Sequence, residues 1–104
     1  MPQHYRVRLT PQALADIEEI YAWISRDSRQ NAATTIERIL DAIDSLEIFP
    51  HRTVVEQASP LLKYPMRSLP VKPCIVYFRV IDDERIVVIR HIRHGARRPP
   101  TTFD

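Results

Sequence analysis

The sequence contains only one cysteine, Cys74, and one glycine, Gly95, among its 104 residues. A single cysteine excludes an internal disulfide bond and is typical of a cytoplasmic protein. No apolar run approaches the roughly 18 residues that a membrane helix needs. The N-terminal residues also lack the apolar segment of a signal peptide. We therefore expect a cytoplasmic protein that does not span a membrane.

The length and composition predict a single domain that extends over residues 1–104. Hydrophobic residues make up 44% of the chain and charged residues 27%, as in ordinary globular proteins. No internal repeat, low-complexity segment or linker divides the chain.

Charge is distributed unevenly along the chain. The segment Pro11–Phe49 contains eight acidic residues and three arginines, whereas Lys63–Arg98 contains nine basic residues and three acidic ones. Thirteen of the fifteen basic residues are arginine, a residue suited to bidentate binding of phosphate or carboxylate. A GC-rich genome would also produce an arginine bias. The uneven charge itself indicates a surface for an anionic partner.

The first half of the chain predicts one strand and two helices. Polar and apolar residues alternate through Tyr5–Leu9, which is typical of a half-buried strand. Thr10 is a good N-cap, so a first helix is predicted for Pro11–Ser25. A second amphipathic helix, Arg29–Phe49, should end there because Pro50 disfavours a helical conformation at the preceding residue. The short link predicts an antiparallel helical hairpin.

The second half predicts three strands, which are Met66–Val71, Cys74–Val80 and Arg85–Ile92, with a turn at residues 82–84. The predicted fold class is therefore α+β in the order β-α-α-β-β-β. We expect the helical hairpin to pack on one face of a mainly antiparallel four-stranded sheet. The sheet residues expected in this core are Val76, Phe78, Val87 and Ile89.

Several segments of the chain resemble the RelE/ParE toxin superfamily of type II toxin–antitoxin systems, and in particular its ParE-like toxins. The resemblance lies in the element order and in five segments, which are Ala13–Ile17, Tyr21–Ile24, Met66–Val71, Ile75–Val80 and Ile89–Arg98. The specific feature is the combination of these segments with the ending His94-Gly95-Ala96-Arg97.

The resemblance implies a partner and two alternative activities. The partner is a cognate, ParD-like antitoxin that forms a hetero-oligomer with the toxin. ParE-like toxins poison DNA gyrase, whereas RelE-like toxins cut messenger RNA in the ribosomal A site. A third alternative is a degenerate member that only binds its antitoxin. The fold alone does not choose among these activities.

The candidate catalytic residues, should the protein be a nuclease, are Arg67, His94 and Arg97. RNA cleavage without a metal needs an acid, a base and cations that stabilise the phosphorane. RelE-type enzymes resemble one another in using basic residues with a tyrosine near the C-terminus. Here the tail has no tyrosine, and Phe103 lacks a hydroxyl group. This departure favours a ParE-like gyrase poison that has no catalysis of its own.

The basic C-terminal segment is the predicted target-binding site, and nucleic-acid contact is compatible with it. Arg90 is expected on one strand face with Ile86, Val88 and Ile92, where an anionic partner would satisfy its charge. Gly95 should let the tail turn away from the sheet, so truncation after His94 should abolish toxicity. The predicted target-binding residues are Arg90, Arg93, His94, Arg97 and Arg98.

No cofactor and no metal site are predicted. His91 and His94 lie three residues apart on a predicted strand and its exit, so they should point to opposite faces. His91 is expected to be a partly buried structural residue, and Cys74 a small core residue that is not a nucleophile. Trp23, Tyr77 and Phe78 are interpreted as packing residues.

Overall fold

A computed structural model describes residues 4–56 and 65–95 of the chain. Within these ranges, two helices and five strands follow one another along the sequence. Their bounds are β1 Arg6–Leu9, α1 Pro11–Ser25, α2 Arg29–Asp44, β2 Val54–Val55, β3 Arg67–Val71, β4 Cys74–Ile81 and β5 Ile86–His94. The α+β class and the helical hairpin are as predicted.

Side-chain caps begin both helices. The Thr10 hydroxyl accepts a hydrogen bond from the backbone N–H of Ala13 (3.1 Å), and Pro11 follows at the first helical position. The Ser28 hydroxyl accepts from the backbone N–H of Asn31 in the same way (3.1 Å). Each cap satisfies one of the N–H groups that the first helical turn leaves without a helical acceptor.

The second helix ends earlier than predicted, at Asp44 and not near Phe49. A short 3-10 turn, Ser45–Glu47, follows it. Phe49 adopts a left-handed conformation (φ 52°) directly before Pro50. The Arg52 guanidinium donates to the carbonyl oxygens of Ile48 (2.9 Å) and Phe49 (3.1 Å). This arginine stabilises the segment between the end of α2 and Thr53, where the backbone N–H of Arg52 also donates to the carbonyl oxygen of Phe49 (3.1 Å).

The sheet has five strands where four were predicted, in the order β1-β5-β4-β3-β2. The additional strand is β2, which pairs antiparallel with β3 through Val54–Ser68 and Val55–Arg67. A strand of two residues is too short to produce a periodic pattern, so the sequence did not reveal it. The first strand pairs in parallel with the last, with Arg6 opposite Ile86 and Leu9 opposite Ile89.

The core lies between the helices and one face of the sheet, which we call the helix-side face. The four sheet residues predicted for the core, Val76, Phe78, Val87 and Ile89, are buried there, as is Cys74. From the helices and the turn after α2, the buried members of this core are Ala13, Ile20, Ile39, Ile43 and Leu46. The amphipathic patterns of the helices therefore identified the layer contact correctly.

A β-bulge interrupts the alternation of β5. Phe78 pairs with Ile89 while its neighbour Tyr77 pairs with His91, which makes Arg90 the extra residue. As a result, Ile89 and Ile92 both pack in the helix-side core. They are three positions apart, and regular alternation would place them on opposite faces. Arg90 was expected on one face together with Ile86, Val88 and Ile92. The register places Ile92 on the helix-side face and Ile86 and Val88 on the opposite face, so this grouping is wrong.

Candidate functional site

The face of the sheet opposite the helices, which we call the outer face, carries most of the polar side chains of the strands. Directly paired residues of neighbouring strands project to the same face, so the register defines its members. They are Arg6 and Arg8 of β1, Val54 of β2, Ser68 and Pro70 of β3, Ile75, Tyr77, Arg79 and Ile81 of β4, and Ile86, Val88, His91 and Arg93 of β5.

One row across the outer face joins Ser68, Tyr77 and His91. Tyr77 pairs with Ser68 on one side and with His91 on the other. All three residues are buried, and the Ser68 hydroxyl donates to Oε1 of Glu56 (2.6 Å). Burial raises the pKa of the Tyr77 hydroxyl above its ordinary value, the Glu56 carboxylate raises it further, and Arg93 opposes them. The row therefore holds a protonated phenol close to a carboxylate and a guanidinium.

A buried carboxylate joins helix α1 to β5 just after the bulge. Asp16 is 5% exposed, and its Oδ2 accepts a hydrogen bond from the backbone N–H of Ile92 (2.9 Å). Its Oδ1 accepts from the side-chain amide of Gln12 (2.8 Å), and His91 Nδ1 lies 3.9 Å from Oδ2. Asp16 thus satisfies a backbone donor of β5 beyond the point where β1 stops pairing with it. This bond fixes the strand segment that brings His91 and Arg93 to the outer face.

Sequence reasoning missed this role of Asp16. A usable signal was present, because Asp16 lies three residues after Ala13 and four before Ile20, both of which are buried. This spacing places the carboxylate on the core stripe of the helix.

The residues predicted for a nuclease site do not come together within the described structure. Arg67 pairs with Phe78, and its guanidinium donates to the carbonyl oxygens of Thr53 (2.9 Å) and His51 (3.3 Å). His94 pairs with Cys74, four residues further along β4, which is roughly 13 Å of strand. The third candidate, Arg97, lies outside the described residues. Arg67 therefore supports the segment before β2, far from His94.

The predicted target-binding residues are divided between the two faces of the sheet. Arg93 lies on the outer face, opposite Ile75, whereas His94 is paired with the core residue Cys74. Arg90, at the bulge, borders a surface cavity of about 260 Å³ together with Pro11 and Gln12. Arg98, like Arg97, lies outside the described residues. The histidines at 91 and 94 do point to opposite faces, as predicted.

Gly95 is required for a reason other than the one expected. Its backbone N–H donates to the carbonyl oxygen of Pro73 (2.7 Å), and a Cβ atom at this position would lie 2.8 Å from that oxygen. Its φ is not positive. A close approach of two backbone segments thus excludes a side chain here. The tail that Gly95 was expected to redirect lies outside the described residues.

A second polar cluster, which the sequence did not indicate, joins three distant segments. The Tyr5 hydroxyl donates to Asp82 Oδ1 (2.8 Å), and His51 Nε2 lies 3.0 Å from the same oxygen. The hydrogen bond to Asp82 raises the pKa of Tyr5. The carboxylate and the imidazole are well exposed, so this cluster adds little stability. It connects β1, the segment after α2 and the turn between β4 and β5.

Two further observations concern the described residues. No group of three or more His, Cys, Asp or Glu side chains within them is arranged to hold a metal ion. None of their helices has the length and apolar character needed to cross a membrane.

Comparison with known protein families gives one match. Residues 7–99 match the family described as the ParE toxin of the type II toxin–antitoxin system parDE. A protein of Sinorhizobium fredii that is named as a toxin, Y4kP, is 28% identical over 86 residues, which cover 83% of this chain and 86% of that protein.

Solved structures share the fold. A structure of the chromosomal ParDE system from Pseudomonas aeruginosa has a TM-score of 0.69 at 18% identity and covers 88% of this chain and 96% of its own. The toxin–antitoxin complex RelBE2 from Mycobacterium tuberculosis gives 0.63 at 22% identity, with 91% and 95% covered. The archaeal RelE–RelB complex from Pyrococcus horikoshii gives 0.65 at 14% identity, with 92% and 100% covered.

Proposed function

The chain belongs to the ParE toxin family of type II toxin–antitoxin systems, and from this premise we propose that it stops growth by poisoning DNA gyrase. In this proposal the toxin binds its target and performs no bond cleavage of its own. A cognate, ParD-like antitoxin neutralises it by forming a hetero-oligomer.

The separation of the candidate catalytic residues is the observation that supports a non-catalytic toxin. A metal-independent nuclease needs its acid, base and cations around one phosphate. Arg67 donates to two backbone carbonyls, and His94 pairs at the far end of β4. These two side chains cannot act on one phosphate without a large rearrangement. The absence of a tyrosine from the tail favours the same interpretation.

A RelE-like ribosome-dependent endonuclease is the alternative, and the row on the outer face favours it. Tyr77 and His91 are residue types that transfer protons in enzymes, and Arg93 lies close enough to influence the phenol. However, the raised pKa of Tyr77 makes its hydroxyl a poor general base near neutral pH. We therefore prefer the gyrase proposal to the nuclease alternative.

The antitoxin is expected to cover the helical hairpin or the edge of the sheet at β2. On α1, Leu14 and Tyr21 are exposed seven residues apart, on one side of the helix. At the sheet edge, Val54 and Val55 are exposed in a strand of only two residues. Exposed helical stripes and strand edges are both used to bind partner segments. Co-expression with the neighbouring antitoxin gene should therefore yield a stable complex.

Two parallel assays test the target. Purified toxin added to gyrase, ATP and plasmid DNA should produce gyrase-dependent cleaved DNA, and added antitoxin should suppress it. Primer extension on messengers from induced cells should show no new ends in the ribosomal A site. New A-site ends together with unaffected gyrase would reverse the assignment in favour of the nuclease. A toxin that leaves both targets unaffected and only binds its antitoxin would be a degenerate member.

A further inference from the structure

Arginines from the two ends of the described chain meet on the outer face. Tyr5, Val7 and Leu9 pack against the core, so the alternation of β1 places Arg6 and Arg8 on the opposite side. Both arginines are exposed. The sequence pattern had indicated only a half-buried strand here, and the C-terminal segment alone was predicted to bind the target.

The strand register aligns these arginines with those of the later strands. Arg8 pairs with Val88, and Val88 pairs with Arg79, so the two guanidinium groups belong to one row across three strands. Their Cα atoms are roughly 10 Å apart at ordinary strand spacing. Further along the same face, Arg93 lies opposite Ile75. The parallel pairing of β1 with β5 is what brings the four arginines, which are Arg6, Arg8, Arg79 and Arg93, to one surface.

None of the five described strands contains an acidic residue. The Glu56 carboxylate, which follows β2, accepts a hydrogen bond from Ser68 of the outer face. The exposed acidic residues of the helices lie in the opposite layer. Four guanidinium groups spread over three strands produce a positive potential that extends beyond single contacts. An anionic partner therefore approaches from the outer face.

We propose that Arg6, Arg8, Arg79 and Arg93 form a binding surface for the phosphate backbone of duplex DNA. Arg6 and Arg8 are two residues apart on an extended strand, about 7 Å, which is comparable to the separation of successive phosphates along a strand. Arginine is suited to bidentate contact with phosphate oxygens. This surface adds Arg6, Arg8 and Arg79 to the C-terminal arginines considered so far and shares Arg93 with them. It exists whether or not gyrase is the target.

The chemistry of the face favours a duplex over a single strand. Proteins that bind single-stranded nucleic acids stack exposed aromatic side chains on the bases. Over the described residues, the aromatic side chain on the outer face is Tyr77, which is only 9% exposed. Arg6 and Arg8 are exposed on this face, Arg79 and Arg93 are partly exposed, and the aromatic ring is buried. Such a face suits contact with the backbone and leaves the bases unread. The binding should therefore be independent of sequence and sensitive to salt.

The test measures binding of the full-length toxin to a short fluorescent DNA duplex by anisotropy over a series of salt concentrations, without gyrase. The variant Arg6→Gln/Arg8→Gln is compared with the matched control Arg29→Gln/Arg38→Gln, which removes two exposed arginines from α2. The first variant should bind more weakly, and the slope of log affinity against log salt should fall by about two units. The control should retain the wild-type slope.

Two results would overturn the proposal. One is an equal slope for both variants and the wild type, and the other is single-stranded RNA or an acidic peptide binding this face more tightly than duplex DNA. Thermal melting of each variant within a degree or so of the wild type excludes a folding defect. Because gyrase is absent, failure here would leave the gyrase proposal standing. Conversely, a toxin that binds DNA through these arginines but does not affect gyrase would contradict only the gyrase proposal.

Discussion

The helical layer and the outer face of the sheet differ in charge and in the partners they suit. The exposed charged residues of the helices are mainly acidic, namely Glu18, Glu19, Glu37, Asp41 and Asp44 against Arg29 and Arg38. The helices also expose apolar side chains such as Leu14 and Tyr21. The outer face presents arginines around a buried polar row. One side of the molecule is therefore suited to a protein segment, and the other to a polyanion.

This difference between the layers has two origins. The acidic character of the helices is visible in the sequence, since it follows the segment Pro11–Phe49. The basic character of the outer face is visible only in part. Arg79 and Arg93 lie in the basic segment Lys63–Arg98, whereas Arg6 and Arg8 join them only because β1 pairs with β5. Charge counted along the sequence therefore predicts the charge of a surface only where the fold keeps the residues of one segment together.

The tail after Gly95 provides the largest expected effect. Truncation after Gly95, one residue later than first considered, keeps the hydrogen bond between Gly95 and Pro73. It removes the two arginines Arg97 and Arg98. We expect loss of growth inhibition on induction with an unchanged melting temperature. The control variant Arg97→Lys/Arg98→Lys keeps the charge and should remain toxic. A truncated protein of full toxicity would contradict the prediction, and an unfolded one would show that the tail is structural.

The thiol of Cys74, which lies where the two layers meet, should be about a hundredfold less reactive than an exposed thiol. Burial raises its pKa from the ordinary 9.0 to about 11, and the residue is 1% exposed. At pH 8 this shift lowers the thiolate fraction by about two orders of magnitude. Alkylation by iodoacetamide, followed by mass spectrometry, should be slow in the native protein and ordinary in urea. Equal rates in the two conditions would show that the layers separate readily.

The same shift determines the pH dependence of stability. The folded state favours the neutral thiol of Cys74. The contribution of this thiol to the free energy of unfolding is fully present below pH 9 and is lost as the pH rises towards about 11. Chemical denaturation across this range should show the free energy of unfolding falling with pH. A Cys74→Ala variant should fall less steeply.

Removal of the Asp16 carboxylate tests the link between the two layers. Asp16→Ala leaves the buried N–H of Ile92 without its acceptor, which should cost about 1–3 kcal/mol of unfolding free energy. Asp16→Asn retains a carbonyl acceptor and should recover part of the loss. Glu18→Ala, at an exposed position of the same helix, is the control and should change little. Amide exchange at Ile92 distinguishes a local effect, and an unchanged rate in Asp16→Ala would refute the role.

Gly95→Ala should have the smallest of these effects and lower the free energy of unfolding by about 1 kcal/mol or more. The added Cβ would lie 2.8 Å from the Pro73 carbonyl oxygen, so the end of β5 must move away from the turn before β4. Overpacking of this kind is destabilising. Faster amide exchange at position 95, with the other strands unchanged, is the expected signature. If amide exchange at position 95 is as slow in the variant as in the wild type, the end of β5 and the turn before β4 can move apart more easily than their close approach indicates.

Much of the fold was predictable from local patterns, whereas little of the site was. Caps such as Thr10 and Ser28 and the alternation of the long strands reflect interactions within a few residues, and these were identified correctly. The end of α2 was misplaced because a 3-10 turn, Ser45–Glu47, replaces the last predicted turn of the α-helix, and the proline alone does not mark that change. The bulge at Arg90 depends on pairing between two strands, and no pattern within β5 alone reveals it. Site residues on the strands depend on that register.

The pairing of the first strand with the last has a consequence for synthesis. Arg6–Leu9 pair with residues 86–89, and the backbone N–H of Arg6 donates to the carbonyl oxygen of Arg85. The first strand can therefore join the sheet only after these residues have been synthesised. Closing a loop of this size costs entropy that local contacts do not offset, and such pairings slow folding. During translation the arginines of β1 therefore remain apart from those of β4 and β5. The basic surface is therefore absent from a nascent chain that has not yet reached β5. An antitoxin that is already present can bind the toxin when this surface forms.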